Sequence, residues 1–177
     1  MIQKILAALF KLFGGSGFTV GGYFTVTCKG PDGRVKWVEV AHNLVTNVGL
    51  NHILDVILHA ETQITTWCVG LKNAGSVAAA DTLASHGAWT ENSNYTGDRK
   101  EYVEAAASSQ SITNSANKAS FAIDTNSQTI AGAFLCSAAT GTSGTLLCAA
   151  DFASAKSADN GDTLEVTYTV SAADDGS

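Results

Sequence analysis

The residues most able to react or to bind a metal in this sequence are four cysteines, Cys28, Cys68, Cys136 and Cys148. No two of them show the C-x-x-C spacing typical of zinc sites and redox motifs. Each lies in an apolar run that predicts a strand, where unreactive buried thiols are common. A hairpin centred on Thr142 would place Cys136 directly opposite Cys148, which leaves a disulfide between them open. We expect reduced core cysteines and no metal site.

A second group that could take part in chemistry is His52, Asp55 and His59, which share one side of a predicted helix. Such a stripe could bind a metal ion or move a proton. A solvated helix face explains the same three residues, and we favour this interpretation. No serine lies in a G-x-S-x-G pattern, and no glycine-rich segment precedes Lys-Ser or Lys-Thr. The sequence therefore predicts a non-enzymatic protein without a cofactor.

Composition and charge limit the function further. The 177 residues carry a net charge of −6, only 15% are charged, and 79 are Ala, Gly, Ser or Thr. Residues 1–50 hold five basic and two acidic side chains, whereas residues 51–177 hold five and fourteen. An acidic body argues against nucleic acid as a partner, because a phosphate backbone calls for a basic patch. The composition is typical of one β-rich structural domain and not of a membrane protein.

The N-terminus predicts a short helical arm. Residues 1–13 are mostly apolar with two lysines, and Gly-Gly-Ser-Gly follows at residues 14–17 as a tether. At about 1.5 Å per residue, a helix of this length is too short to span a bilayer. No small-residue cleavage site follows the apolar run, so we do not expect a secretion signal. We expect the arm to pack on the body of the protein or on a neighbouring subunit.

The body begins with a predicted β-hairpin and a helix. Apolar and polar side chains alternate over residues 23–29 and again over 35–41, and residues 30–33 read Gly-Pro-Asp-Gly, which suits a type I turn. A helix follows, with Asn47 as the expected N-cap. Its predicted core-facing stripe consists of Leu50, Ile53, Leu54, Ile57 and Leu58.

The remainder indicates a strand-rich fold. Strands are predicted at residues 64–72, 102–105, 119–124, 129–137, 144–152 and 163–171. The polar segment at 73–100 is long enough to predict a contact-making loop. About eight strands and one internal helix predict a mainly β fold, an antiparallel β-sandwich of jelly-roll or immunoglobulin-like type. We divide the chain into the arm and tether, 1–17, and a β-sandwich domain, 18–177.

Five segments resemble small virion proteins of tailed bacteriophages. They are HNLVTNVGLNHILDVIL (42–58), WCVGL (67–71), AAADTLASHGAWTE (78–91), IAGAFL (130–135) and NGDTLEVTYTVSAADD (160–175). In those chains an N-x-V-T-x-x-G helix start precedes a W-x-V-G-L strand and a D-T-L-A-S-H-x-x-W-T-E loop. The resemblance covers roughly residues 18–175. It implies a structural virion component assembled in the host cytoplasm, of the capsid decoration (cement) or head-fibre kind.

From this resemblance we expect a capsid decoration protein that bridges capsid subunits. The alternatives are a tail or fibre module that binds a host receptor, and a head–tail or tail connector subunit. The expected partners are the major capsid protein or other virion subunits, together with further copies of the chain. Capsid geometry suggests a trimer. Neither nucleic acid nor a membrane is an expected partner.

Two groups of residues are the expected partner-binding surfaces. They are Ile2, Ile5, Leu6, Leu9, Phe10 and Phe13 in the arm, and His86, Trp89, Tyr95 and Tyr102 in and beside the long loop. Exposed rings of Trp89 and Tyr95 would also suit a receptor site. The competing interpretation is that the apolar side chains of both groups close the protein's own core.

Overall fold

A computed structural model describes residues 17–174, which form ten strands and one helix. The strands are β1 (Phe18–Lys29), β2 (Val35–Val45), β3 (Cys68–Lys72), β4 (Glu91–Asn92), β5 (Lys100–Glu101), β6 (Ser111–Thr113), β7 (Ala119–Ala122), β8 (Gln128–Cys136), β9 (Leu146–Ala158) and β10 (Thr163–Asp174). The helix α1 (Asn47–Leu58) lies between β2 and β3. The predicted mainly β, antiparallel class is confirmed. The strands β4, β5 and β6 were not predicted because they are too short to show an alternation pattern. The strand predicted at 102–105 is wrong, since those residues follow β5 without forming a strand.

The strands form one hydrogen-bonded sheet in the order β4-β3-β8-β9-β2-β1-β10-β6, with β5 also paired to β3 and β7 to β10. Strand β2 joins its two halves, because its first part pairs with β1 and residues 43–45 pair with β9. One core is shared by the inner sides of both halves, with Phe24 and Leu164 in the same cluster as Leu71 and Ala150. The jelly-roll or immunoglobulin-like type stays a prediction, and the helical arm lies outside the described residues.

The predicted hairpin is confirmed by β1 and β2, which pair in antiparallel register. The N–H of Gly33 donates to the carbonyl of Gly30 at 2.8 Å and closes the turn. Gly33 has a φ of 77°, a backbone conformation that glycine adopts without strain. The alternating apolar residues Phe24, Val26 and Cys28 all lie on the buried side. Local pattern and turn chemistry were therefore sufficient to predict this element.

The helix α1 forms where the sequence predicts it, but its N-cap is Thr46 and not Asn47. The hydroxyl of Thr46 accepts the N–H of Gly49 at 3.0 Å and donates to the carbonyl of Leu146 in β9. This second bond requires a hydroxyl that points into the protein. Asn47 is exposed and outside that position. The cap thus anchors the helix start to the sheet.

The predicted core-facing stripe of α1 is wrong for four of its five residues. These four form the exposed helix face, with exposed fractions of 44% for Leu50, 45% for Leu54, 65% for Ile57 and 78% for Leu58. The buried side of the helix instead contains Gly49 and His52, so the solvated-face interpretation is wrong for His52. A Cβ on Gly49 would lie 2.3 Å from the carbonyl oxygen of Leu147. The helix α1 lies so close to β9 that only its glycine side fits against the strand.

The cysteine geometry also differs from the prediction. Strands β8 and β9 form the expected hairpin, but Cys148 lies opposite Leu135 and not opposite Cys136. The register shifts between Leu135 and Cys136, which moves the partner of Cys136 by one position. Across the other edge of β8, Cys136 lies opposite Cys68. All four cysteines are free and buried, as expected for core thiols.

Candidate interaction surface

Three of the predicted partner-binding residues belong to the core. Trp89 is 3% exposed, and Tyr95 and Tyr102 are each 4% exposed. The ring of Tyr95 packs edge-on against Phe121, with 4.8 Å between centroids. The hydroxyl of Tyr102 donates to the carbonyl of Tyr168 at 3.2 Å. This burial supports the competing interpretation, in which these aromatic residues close the protein's own core.

His86 and Trp89 stabilise the loop that contains them. Their rings stack with 3.9 Å between centroids, and Nδ1 of His86 lies 2.9 Å from the carbonyl oxygen of Trp89. The indole N–H of Trp89 donates to Oδ2 of Asp81 at 2.9 Å, and the same oxygen accepts the N–H of Ala78. These contacts within the loop explain why Asp81, His86 and Trp89 occur at the spacing of the D-T-L-A-S-H-x-x-W motif. Partner binding by His86 stays a prediction.

The long loop at residues 73–100 covers the outer side of one half of the sheet. Its Leu83 and Trp89 pack in a second buried cluster with Phe134 of β8 and Ala149 of β9. Within this segment residues 91–92 form β4 and Lys100 begins β5, and the remainder is the predicted loop. Its Leu83 and Trp89 are buried within this chain. Among residues 17–174, no comparable buried cluster forms on the outer side of β1 and β2.

That uncovered surface, here named the outer sheet face, consists of three cross-strand pairs between β1 and β2. The pairs are Tyr23 with His42, Thr25 with Val40, and Thr27 with Val38. Their side chains point away from the core because the strands alternate and Phe24 and Val26 face inward. Val38 is 51% and Val40 is 55% exposed. The centre of this face is therefore apolar and β-branched.

The border of the outer sheet face carries charges that are paired within the chain. Glu165 of β10 lies opposite Thr27 and accepts hydrogen bonds from the ammonium groups of Lys29 and Lys118. These two bonds lower the pKa of Glu165 and keep it ionised. At this border one carboxylate is therefore paired with two ammonium groups of the same chain.

A second apolar surface is a groove between α1 and the inner side of the sheet, here named the helix groove. Its cavity has a volume of about 300 Å³. Its walls are almost wholly apolar and include Val20, Ile53, Val56, Ile57, Trp67 and Val170. The polar groups in the walls include His52, whose ring meets Trp67 edge-on with 5.6 Å between centroids. The groove opens beside the exposed helix face, since Ile57 belongs to both.

The described residues contain neither a metal-binding group nor a membrane-spanning helix. No cluster of three or more His, Cys, Asp or Glu side chains suited to a metal ion occurs within residues 17–174. In the same range, no helix is long and apolar enough to cross a membrane.

These features define a mainly antiparallel β protein whose polar networks build the fold and whose exposed apolar side chains lie mostly on β2 and α1. Residues 43–171 match the family model described as Podophage GP4 fiber I protein gp80, which is well over half of the chain. The chain therefore belongs to this family of phage fibre proteins and is a structural component of the virion. No curated protein matches the sequence. The resemblance to virion proteins of tailed phages is confirmed.

The sequence did contain a signal for the outer sheet face. Apolar residues occur on both sides of β2, with Trp37 inside and Val38 and Val40 outside. An antiparallel strand with water on one side normally presents polar residues there. The arm residues Ile2, Ile5, Leu6, Leu9, Phe10 and Phe13 lie outside the described residues, so their partner-binding role stays a prediction.

Proposed function

We propose that this chain is a non-enzymatic fibre subunit of a podophage particle and that it associates with further copies of itself through the outer sheet face. The exposure of Val38 and Val40 at the centre of that face is the observation that carries this proposal. Membership of a fibre family favours a fibre over the capsid decoration protein first expected.

The energetics favour a covered face. Burying a valine side chain completely contributes about 1.5–3 kcal/mol, and roughly half of that is still available at Val38 and Val40. The threonines beside them are also β-branched and add flat contact area. A stable interface needs about 800 Å² per partner, so the neighbouring pairs must take part. Repetition along a fibre then strengthens each weak contact through multivalency.

The charges suit contact between identical copies. Like charges that meet across an interface would oppose self-association. Here Glu165 is already paired with Lys29 and Lys118 of its own chain. The border therefore resembles the polar rim of a protein interface around an apolar centre.

Receptor binding is less well supported than assembly. That alternative was based on an exposed aromatic platform containing Trp89 and Tyr95. Both rings are buried in the described protein. We therefore propose assembly as the role of this chain and not recognition of a host glycan.

The test compares two double substitutions in the full-length protein. Val38→Glu with Val40→Glu places charges at the centre of the outer sheet face. Thr142→Glu with Ser143→Glu is the matched control, because both residues are exposed between β8 and β9 and lie outside the outer sheet face. Sedimentation velocity measures oligomeric state, and circular dichroism checks folding.

We expect the wild type and the control to form oligomers and the valine variant to be a folded monomer. A monomeric wild type, or a valine variant that still forms the wild-type oligomer, would contradict assembly through this face. A particle reconstruction tests the fibre role separately. Density in a projecting fibre supports it, and density only within the capsid shell contradicts it.

A further inference from the structure

The helix groove is an unfilled part of the hydrophobic core. Beside the cavity of about 300 Å³ lies a second one of about 170 Å³, and the two share Trp67, Leu147, Tyr168 and Val170 as walls. Together they form a gap at one end of the space between α1 and the sheet. Side chains that border such a gap lack dispersion contacts on that side. An apolar segment inserted there would supply those contacts.

The start of the described chain lies close to this groove. Val20, in the first part of β1, is one of its walls, and the described residues begin at Gly17. Sixteen residues precede that point, of which the last three and Gly17 form the Gly-Gly-Ser-Gly tether. A short flexible tether holds an attached segment at an effective concentration of the order of millimolar. This tether therefore brings the apolar sequence at residues 1–13 within reach of the groove.

The residue types of the segment match the groove. On a helix, Phe10 and Phe13 lie three positions apart and share one side with Leu6 and Leu9. A dry cavity of about 150 Å³ accommodates one benzene ring, so about 300 Å³ suits two aromatic side chains. The larger cavity therefore has the volume that Phe10 and Phe13 require.

Charge favours the same placement. Residues 1–16 carry two lysines and no acidic residue, whereas residues 17–174 carry eight basic and fifteen acidic side chains. At the groove, Oε1 of Glu61 lies 3.9 Å from Nδ1 of His52, and the Glu61 side chain is 52% exposed. This carboxylate is available to a lysine on the polar side of the segment.

We propose that residues 1–13 fold back on their own chain and insert Phe10 and Phe13 into the helix groove. The segment then closes the core of its own body, and the exposed helix face forms one side of the contact. The outer sheet face lies on the other side of the sheet. This inference is therefore independent of the assembly proposed above.

Cysteine cross-linking in the full-length chain distinguishes the occupants. Phe13→Cys combined with Ile57→Cys places one thiol in the segment and one at the groove, where Ile57 is 65% exposed. Phe13→Cys combined with Val38→Cys is the control, since Val38 lies on the outer sheet face. The four native cysteines are buried, so mild oxidation should first affect the introduced pair.

We expect the Ile57 pair to form an intrachain disulfide, seen as a monomer with faster non-reducing mobility and a mass 2 Da lower. The control pair should not form one. A disulfide-linked dimer would mean that the occupant is a second copy, and absence of any cross-link would mean that the segment does not enter the groove. Either result overturns the proposal.

A second measurement uses binding of the dye ANS, which reports exposed apolar surface. Phe10→Ser with Phe13→Ser should raise ANS fluorescence several-fold and lower the melting temperature. Leu12→Ser is the control and should change neither, because on a helix Leu12 lies on a different side from both Phe10 and Phe13. Unchanged ANS fluorescence in the double variant would overturn the proposal, even if the protein remains fully folded.

Discussion

Lys72 and Asp151 form an ion pair in which the cation is fully buried and the carboxylate is not. Nζ of Lys72 lies 2.6 Å from Oδ1 of Asp151, with side-chain exposures of 0% and 41%. The ammonium also donates to the carbonyl of Gly75 at 2.7 Å, and Oδ2 of Asp151 accepts the N–H of Val77 at 3.0 Å. The pair thus connects β3 and β9 to the start of the long loop.

The asymmetry of this pair predicts unequal effects of its two single substitutions. Asp151→Ala leaves a buried ammonium with the Gly75 carbonyl as its remaining partner and should lower the free energy of unfolding by about 2–4 kcal/mol. Lys72→Met leaves a carboxylate that water can reach, so its effect should be clearly smaller. Urea unfolding of both variants measures the difference. Equal losses, or the larger loss in Lys72→Met, would contradict the described burial.

Gly49→Ala should destabilise the protein although alanine is the better helix former. Alanine is favoured over glycine within a helix by about 1 kcal/mol. At this position, however, the new Cβ would lie 2.3 Å from the backbone oxygen of Leu147, which cannot move independently of β9. We expect a net loss of about 1–3 kcal/mol, as for an overpacked core.

Gly21→Ala is the matched control for this substitution, because a Cβ at Gly21 meets no atom within 4 Å. Thermal unfolding of both variants measures the effect. A Gly49→Ala variant as stable as the Gly21→Ala variant would show that α1 does not pack so closely on β9.

Buried thiols predict a loss of stability at alkaline pH. Burial raises the pKa of Cys148 to about 12, against an ordinary value near 9. Between pH 9 and 12 the unfolded chain therefore releases this proton while the folded protein keeps it. Below pH 9 Cys148 makes its full contribution to the free energy of unfolding. Above pH 9 that contribution decreases by about 1.4 kcal/mol per pH unit.

Urea unfolding at pH 8, 9, 10 and 11 measures this slope. Cys148→Ala should show a shallower decrease than the wild type over the same range. Burial also raises the pKa values of Tyr95 and Tyr102, so some decrease should persist in the variant. Parallel slopes for the two proteins would contradict the contribution of Cys148.

Some of the fold could be predicted because it depends on neighbours in the sequence. The alternation at Phe24, Val26 and Cys28, with a glycine of positive φ at Gly33, determines a hairpin through local sterics. The position of α1 follows from its apolar periodicity in the same way. Its burial does not, because the helix is apolar on two sides and Ile53 belongs to both.

For the candidate surfaces too, the sequence indicated residue type but not burial. Aromatic residue type marked Trp89 and Tyr95 as contact residues, but residue type alone does not separate a core ring from an exposed one. Their burial depends on Phe134, which packs against Trp89, and on Phe121, which packs against Tyr95, both from strands distant in the sequence. Val38 and Val40 are exposed because no described segment crosses that side of the sheet.

By itself, the sequence predicted a mainly β, antiparallel protein with one internal helix, and its motifs indicated a phage structural component. Only the tertiary structure decided which apolar residues meet each other. Cys136 lies opposite Cys68 of β3 and not opposite Cys148, and α1 turns Gly49 towards β9 because a side chain there would collide. The physical reason is that periodicity reports the geometry of one element, whereas burial is a property of two surfaces in contact.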